Sequence, residues 1–319
     1  MPIFRTIELS RVSLRIATEG SGPLVILVHG FPESWYSWRH QMKPIAAAGY
    51  MACAIDVRGY GGSSKPHAVE AYTLEALSGD IAELVDVLSP DAPAVIIGHD
   101  WGAPICWTTA LVHPMKVRAV VGLSVPYVGI PTRSLNETID ELFTSKGKFF
   151  YQQYFAQEDL AEAEMQSDVG GALRKFYYAW SADAPDGTWP PDKKVGDALL
   201  HRLPDPEPFP GWLSNDDLDY ITLEFEKSGF RGALNRYRNH DRDFQFLKAF
   251  DGAKISQPSL FITGDRDHSR TMFGDRIGLM KQTLPDLRAV HVLPNCGHWT
   301  QQERPMEVND ILVSWLQTL

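Results

Sequence analysis

Apolar positions along the chain fall into short continuous runs separated by longer stretches with helical spacing. Residues 3–17 alternate as two strand-like segments, the turn Gly20-Ser21-Gly22-Pro23 follows, and Leu24–Val28 is an unbroken apolar run. That pattern predicts a hairpin leading into a buried strand. Beyond it, the spacing predicts a helix over 38–48, a strand over 51–55, a helix over 74–88, a strand over 94–97, a helix over 103–112 and a strand over 117–123. Alternation of this kind implies a mostly parallel sheet with helices on both faces.

Between about residues 126 and 250 the alternation stops. The chain becomes helical and aromatic there, with Phe149-Phe150-Tyr151, Tyr154-Phe155 and Phe176-Tyr177-Tyr178-Ala179-Trp180, and it is broken by Pro190-Pro191 and the proline-rich stretch 204–210. Alternation resumes with a strand over 259–263, a helix over 272–283, a strand over 289–293 and a terminal helix over 306–316. The whole reads as one α/β unit, residues 1–125 and 251–319, with a mostly parallel eight-stranded sheet. A helical cap with its connecting segments, residues 126–250, interrupts it.

Composition narrows the partners. The chain has 319 residues, 44% of them apolar, enough for a sizeable core, and a formal net charge of −10. No cluster of Lys and Arg is long enough to track a phosphate backbone, so nucleic acid is excluded in favour of a small, uncharged ligand. Cys53, Cys106 and Cys296 are scattered without Cys-x-x-Cys spacing and read as free thiols in a reducing compartment, with no metal role. The first eight residues lack the apolar segment of a signal peptide, and no run is long enough to span a bilayer. A cytoplasmic protein without a membrane partner is expected, with monomer and homodimer both open.

Ligands of a parallel sheet gather beyond the carboxyl ends of its strands. The loops His29-Gly30-Phe31-Pro32, Gly98-His99-Asp100-Trp101-Gly102, Gly264-Asp265-Arg266-Asp267 and Cys296-Gly297-His298-Trp299 all fall there. The second has the glycine frame of a strand-to-helix nucleophile elbow, G-x-S-x-G, with an aspartate in the place of the serine. Asp100, Asp267 and His298 then follow one another as nucleophile, acid and histidine, the chain order of an α/β-hydrolase triad. A serine alkoxide suits attack on acyl carbon. A carboxylate, ionised near neutral pH, can displace at saturated carbon without a base. The product is an alkyl ester of Asp100, and His298, oriented by Asp267, is free to act as general base for the water that hydrolyses it.

These motifs resemble the soluble epoxide hydrolases of the α/β-hydrolase superfamily, in particular the hydrolase domain of the vertebrate enzyme. The resemblance runs through residues 29–38, the Asp100 elbow, Tyr151-Gln152-Gln153-Tyr154-Phe155, Gly229-Phe230-Arg231-Gly232 leading to Tyr237, and Cys296 to Gln301. It implies an α/β-hydrolase fold with an inserted helical cap and conversion of a small apolar epoxide and water to a vicinal diol. It also implies no cofactor and a role in detoxification. Tyr151 and Tyr237 are implied as acids for the epoxide oxygen. Tyr151 is preferred over the nearby Tyr154 because it precedes the matching Gln152. The backbone N–H groups of Phe31 and Trp101 are implied as the oxyanion hole, and Phe31-Pro32 as a cis peptide. Asp267, last in Gly-x-x-Asp, is implied as the triad acid, which leaves Asp265 as a turn residue and Arg231 as a structural ion-pair partner. Glu33 and His99 are candidates both for positioning the hydrolytic water and for scaffold hydrogen bonds.

Two positions depart from the vertebrate pattern: Arg236 stands where tryptophan is found, and His268 follows Asp267 where an apolar residue is common. Haloalkane dehalogenases share the aspartate nucleophile, but the two tyrosine motifs and Phe31-Pro32-Glu33 favour an epoxide. A non-catalytic binding protein of the same fold is the remoter alternative, opposed by the complete set of reactive groups.

Overall fold

The computed structural model describes residues 2–319, the side chain of Thr271 excepted, so Met1, at the start of the expected sheet unit, lies outside the described residues. The N-terminal hairpin pairs β1 (Ile3–Glu8) antiparallel to β2 (Ser13–Glu19), and β2 pairs antiparallel to β4 (Met51–Ile55). From there the sheet is parallel, through β3 (Leu24–Val28), β5 (Ala94–His99), β6 (Val117–Leu123), β7 (Ser259–Gly264) and β8 (Leu287–Leu293). Among the described residues these strands form one eight-stranded sheet in the order β1-β2-β4-β3-β5-β6-β7-β8.

The central strands are apolar on both faces because both faces are covered. Leu24, Ile26 and Val28 of β3 pack toward α2 (Leu74–Leu88) and α3 (Gly102–Val112). Val25 and Leu27 face the opposite layer, which contains α1 (Arg39–Ala47) and the terminal helix.

Between β6 and β7, which are neighbours in the sheet, the chain leaves for a helical excursion. This holds α4 (Leu135–Leu142), α5 (Tyr151–Ala156), α6 (Leu160–Ser167), α7 (Val169–Trp180), α8 (Asn215–Ser228), α9 (Arg231–Asn235) and α10 (His240–Leu247). Its aromatic residues are core: Phe155, Phe176, Tyr177 and Tyr237 belong to the same buried cluster as Phe31 of the sheet layer. Helix α8 starts at a capping box between Ser214 and Asp217 and docks on the sheet layer. Tyr36 Oη donates to Asp217 at 2.9 Å, Arg39 pairs with Asp217 at 3.0 Å, and Trp35 Nε1 donates to Tyr220 Oη at 2.8 Å. Tyr36 and Tyr220 stack, and Arg15 pairs with Glu224.

The C-terminal part carries α11 (His268–Thr271), α12 (Met280–Thr283), α13 (Thr300–Glu303) and α14 (Pro305–Leu316). The continuous helix expected over 272–283 does not form. Gly274 takes φ +85°, outside the helical region, and only a 3-10 turn at Ile277–Leu279 precedes α12. The expected helix over 38–48 begins instead as a 3-10 turn, Trp35–Trp38, and β8 starts earlier than expected, at Leu287. All three cysteines are buried free thiols. No helix among the described residues is long and apolar enough to cross a membrane.

The elbow joining β5 to α3 sits against β3 so closely that a Cβ on Gly102 would lie 2.0 Å from Val28 O. Backbone on both sides of that contact leaves no flexible group to yield. Gly102→Ala is expected to destabilise the protein by about 3 kcal/mol, read as a lower urea midpoint at unchanged slope; an unchanged midpoint would show that the elbow can relax.

Candidate active site

Asp100 begins the turn after β5 with φ +50°, a left-handed conformation that a non-glycine residue holds only when its surroundings enforce it. The turn lifts the carboxylate above the sheet at the start of α3, whose N-terminal end favours negative charge. Phe31 N–H donates to Asp100 Oδ1 at 2.8 Å. The other end of the same peptide unit is clamped: Gly30 C=O accepts from Glu33 N–H at 3.2 Å and from His29 Nδ1 at 2.8 Å. His29 Nε2 accepts from Val57 N–H at 3.0 Å, which places the ring proton on Nδ1. Phe31-Pro32 is cis. A side chain on Gly30 would meet Asp100 Oδ1 at 2.2 Å, so only glycine lets these two loops approach.

His298 lies between two carboxylates. Its Nδ1 donates to Asp267 Oδ1 at 3.1 Å, and its Nε2 faces Asp100 Oδ2 at 3.5 Å. Asp267 caps α11, accepting from Ser269 N–H at 2.9 Å and Ser269 Oγ at 2.7 Å. Burial would raise the Asp267 pKa, but His298 and the Ser269 donors outweigh it and hold the group at about 2. Burial would likewise strip the proton from His298, yet Asp267 and Asp100 together raise its pKa well above the ordinary histidine value.

His298 sits on a loop, and its own peptide is the anchor. His298 N–H donates to Trp180 O of α7 at 3.0 Å. His298 C=O accepts from His99 Nε2 at 2.8 Å, Ser124 Oγ at 2.9 Å, and Thr300 N–H at 2.8 Å and Oγ1 at 3.2 Å. His99 Nδ1 in turn meets Glu33 Oε2 at 2.7 Å, so its ring faces acceptors on both sides and is satisfied by a proton on each nitrogen. Glu33 accepts further from Gly30 N–H at 2.8 Å, Gln301 Nε2 at 3.1 Å and Gln302 Nε2 at 3.3 Å. Burial, which would raise the Glu33 pKa, is outweighed by His99, His29 and the Gly30 N–H, and the pKa falls to about 2. With four donors on its two oxygens and both His99 nitrogens engaged, this geometry favours the scaffold reading of Glu33 and His99 over direct contact with water.

The helical excursion brings two phenols over the sheet. Tyr151 is the first residue of α5, and Tyr237 lies in the 3-10 turn Arg236–Arg238 after α9. Their ring centroids are 6.2 Å apart, and Tyr237 packs edge-on against both Phe31 and Trp101. Burial first, then the negative charge of Asp100, raises both phenol pKa values, so both are neutral hydroxyls near that carboxylate. Tyr154 Oη is committed to Glu164 at 2.6 Å. Asp265 accepts from Cys296 N–H at 3.2 Å and does not meet His298, whereas Arg231 pairs with Glu158 and Asp159. Arg236 pairs with Asp243 and lies 4.6 Å over the Trp101 ring, a buried wall that the sequence indicates only as a departure from the vertebrate pattern. A cavity of about 410 Å³, lined by Phe149, Tyr151, Trp180, Trp189, His268 and Met272, opens beside Tyr151.

Sequence reasoning assigns no role to Ser124, Gln152 or Gln302, which the structure draws into these networks. None has a diagnostic spacing of its own; Ser124 ends an apolar run, Gln152 sits in the aromatic stretch that carries the resemblance, and Gln302 lies in a polar stretch without any signal.

The sequence profile of the alpha/beta hydrolase fold family matches residues 23–305. Epoxide hydrolase A of Mycobacterium tuberculosis is 38% identical to this chain, over 100% of this chain and 98% of its own length. Bifunctional epoxide hydrolase 2 of Sus scrofa is 37% identical over 96% of this chain and 54% of its own. The solved structure of an epoxide hydrolase from an endophytic Streptomyces superimposes with a TM-score of 0.94 at 44% identity, covering 99% of this chain and 95% of its own.

The position of His298 between two anions makes its pKa depend on Asp100. Asp100→Ser removes one anion and is expected to lower the His298 pKa by about 1 or more, measured by NMR titration of the imidazole against the parent protein. An equal or higher pKa in the variant would show that Asp100 does not hold that proton.

Proposed function

Because the chain belongs to the epoxide hydrolases of the α/β-hydrolase fold, we propose that it opens an epoxide in two covalent steps centred on Asp100. The observation that carries this reading is the asymmetric setting of that carboxylate: Oδ1 receives the Phe31 N–H while Oδ2 faces His298. Oδ2 attacks a ring carbon, the carbon–oxygen bond of the epoxide breaks, and the departing oxygen takes a proton from Tyr151 or Tyr237. Two neutral phenols near one carboxylate supply the acid that an alkoxide leaving group requires. A haloalkane dehalogenase has no use for that acid.

Esterification then removes the charge of Asp100. His298 loses one of the two anions that held its proton, and its pKa falls. The proton it gives up restores the tyrosine, and the imidazole becomes a base for water, oriented by Asp267. Water attacks the ester carbonyl, His298 takes its proton, and the negative charge of the intermediate develops on Oδ1 against the N–H groups of Phe31 and Trp101. Collapse releases the diol and restores the carboxylate, so protons balance over the cycle. Glu33 and His99 assist indirectly, by holding the His298 loop and the Gly30 peptide. Residues 126–250 serve as the cap that shapes the pocket. The three buried thiols fit the reducing cytoplasm, where removal of reactive epoxides is a detoxifying reaction.

Asp100→Ala is expected to abolish diol formation from styrene oxide, and measurable turnover in that variant would count against a covalent route. His298→Gln is expected to stall after the first step, leaving a mass increase of one epoxide on the intact protein. Substrate consumption without any adduct in that variant would contradict the two-step scheme.

A further inference from the structure

Gln152 is almost fully buried on α5, next to Tyr151, and no reaction step described so far uses it. Its Nε2 donates to the Tyr151 hydroxyl oxygen at 2.9 Å, while its Oε1 is buried without a hydrogen-bond partner. A buried amide with one unsatisfied end is unfavourable compared with an apolar side chain of the same length, so packing alone does not explain glutamine here. The satisfied end is the one that touches the acid.

A tyrosine hydroxyl has one proton and two lone pairs. An N–H occupying one lone pair keeps the Tyr151 proton from turning toward that side and leaves it for an acceptor in the pocket. The same N–H gains strength as the proton leaves, because the oxygen then carries negative charge. We propose that Gln152 is a positioning residue for the acid: its Nε2–H aims the Tyr151 proton at the epoxide oxygen and stabilises the phenolate formed when that proton transfers. The hydrogen bond pulls the Tyr151 pKa down against burial and the Asp100 charge, the direction that makes a better acid. This inference rests on Tyr151 acting as an acid in the first step.

The orientation of the amide decides between two outcomes. With Nε2 toward Tyr151, glutamine favours proton loss from the phenol; with Oε1 there, it would retain the proton. The test measures the rate of alkyl-enzyme formation and of its hydrolysis by rapid quench with styrene oxide, in Gln152→Met, Gln152→Glu, Tyr151→Phe and the two double variants. Gln152→Met is expected to slow alkylation about tenfold and to leave ester hydrolysis within about twofold. Gln152→Glu, which can only accept from the phenol when ionised, is expected to slow alkylation further, by about a hundredfold. In the Tyr151→Phe background neither change at Gln152 should matter. Alkylation at the parent rate in Gln152→Met, faster alkylation in Gln152→Glu than in Gln152→Met, or an undiminished Gln152 effect without the Tyr151 hydroxyl would each overturn the proposal while leaving Tyr151 as the acid. Parent-rate alkylation in Tyr151→Phe would overturn the role of Tyr151 itself, and this proposal with it.

Discussion

The sheet can present a carboxylate to a pocket only if the chain reverses sharply at the end of a central strand, and Asp100 at φ +50° is the residue that makes that reversal. Such a conformation costs of order 1–3 kcal/mol, which the packing around it must offset. The offset is visible in how little space the elbow has. Gly102 lies against the backbone of β3, Gly30 against the carboxylate itself, and α3 is buried along nearly its whole length. The loop carrying Phe31 is fixed by His29 and Glu33, whose hydrogen bonds hold its backbone. The geometry of one turn thus dictates glycine at two positions and buried polar residues at two more.

Around that turn the electrostatics are arranged in sequence, not merely in space. One imidazole faces two carboxylates: Asp267, held low by His298 and by the Ser269 hydrogen bonds, and Asp100, which the proposed first step would esterify. A permanent pair alone would hold the histidine charged throughout. A reactive partner that loses its charge on esterification lets the same group be a cation first and a base afterwards. The Glu33–His99 pair beneath it is fully enclosed and reaches the catalytic ring through the His298 carbonyl, so its influence is exerted through position.

Much of this was legible in the sequence, for identifiable reasons. Buried parallel strands such as β3 and β5 read clearly because both faces are apolar, and the elbow reads clearly because its glycines are required by close backbone approach. Asp100, Asp267 and His298 announced themselves by lying just past strand ends in a fixed order. The two tyrosines did not. Among the chain's eleven tyrosines, seven of them within residues 126–250, only resemblance separated Tyr151 and Tyr237 from core residues. The structure adds that Tyr154 is turned to Glu164. The stretch after Asp267 was misread as continuous helix because its apolar spacing suits one, while Gly274 sits at a backbone angle no helix contains. Gln152, Ser124 and Gln302 were opaque because a lone buried amide or hydroxyl has no periodicity; its partner is chosen by the fold.

The helical excursion departs from β6 and returns to β7, and these strands lie side by side. Seen from the sheet, the helices that carry Tyr151 and Tyr237 are therefore a single segment inserted into an ordinary crossover between neighbours. Its length and sequence can change without altering strand order, the elbow or the base. Phe31, His298 and Asp100 belong to the sheet unit, whereas the walls around Tyr151 and Trp180 belong to the inserted segment. A lineage with this architecture can diversify what it accepts while keeping how it reacts.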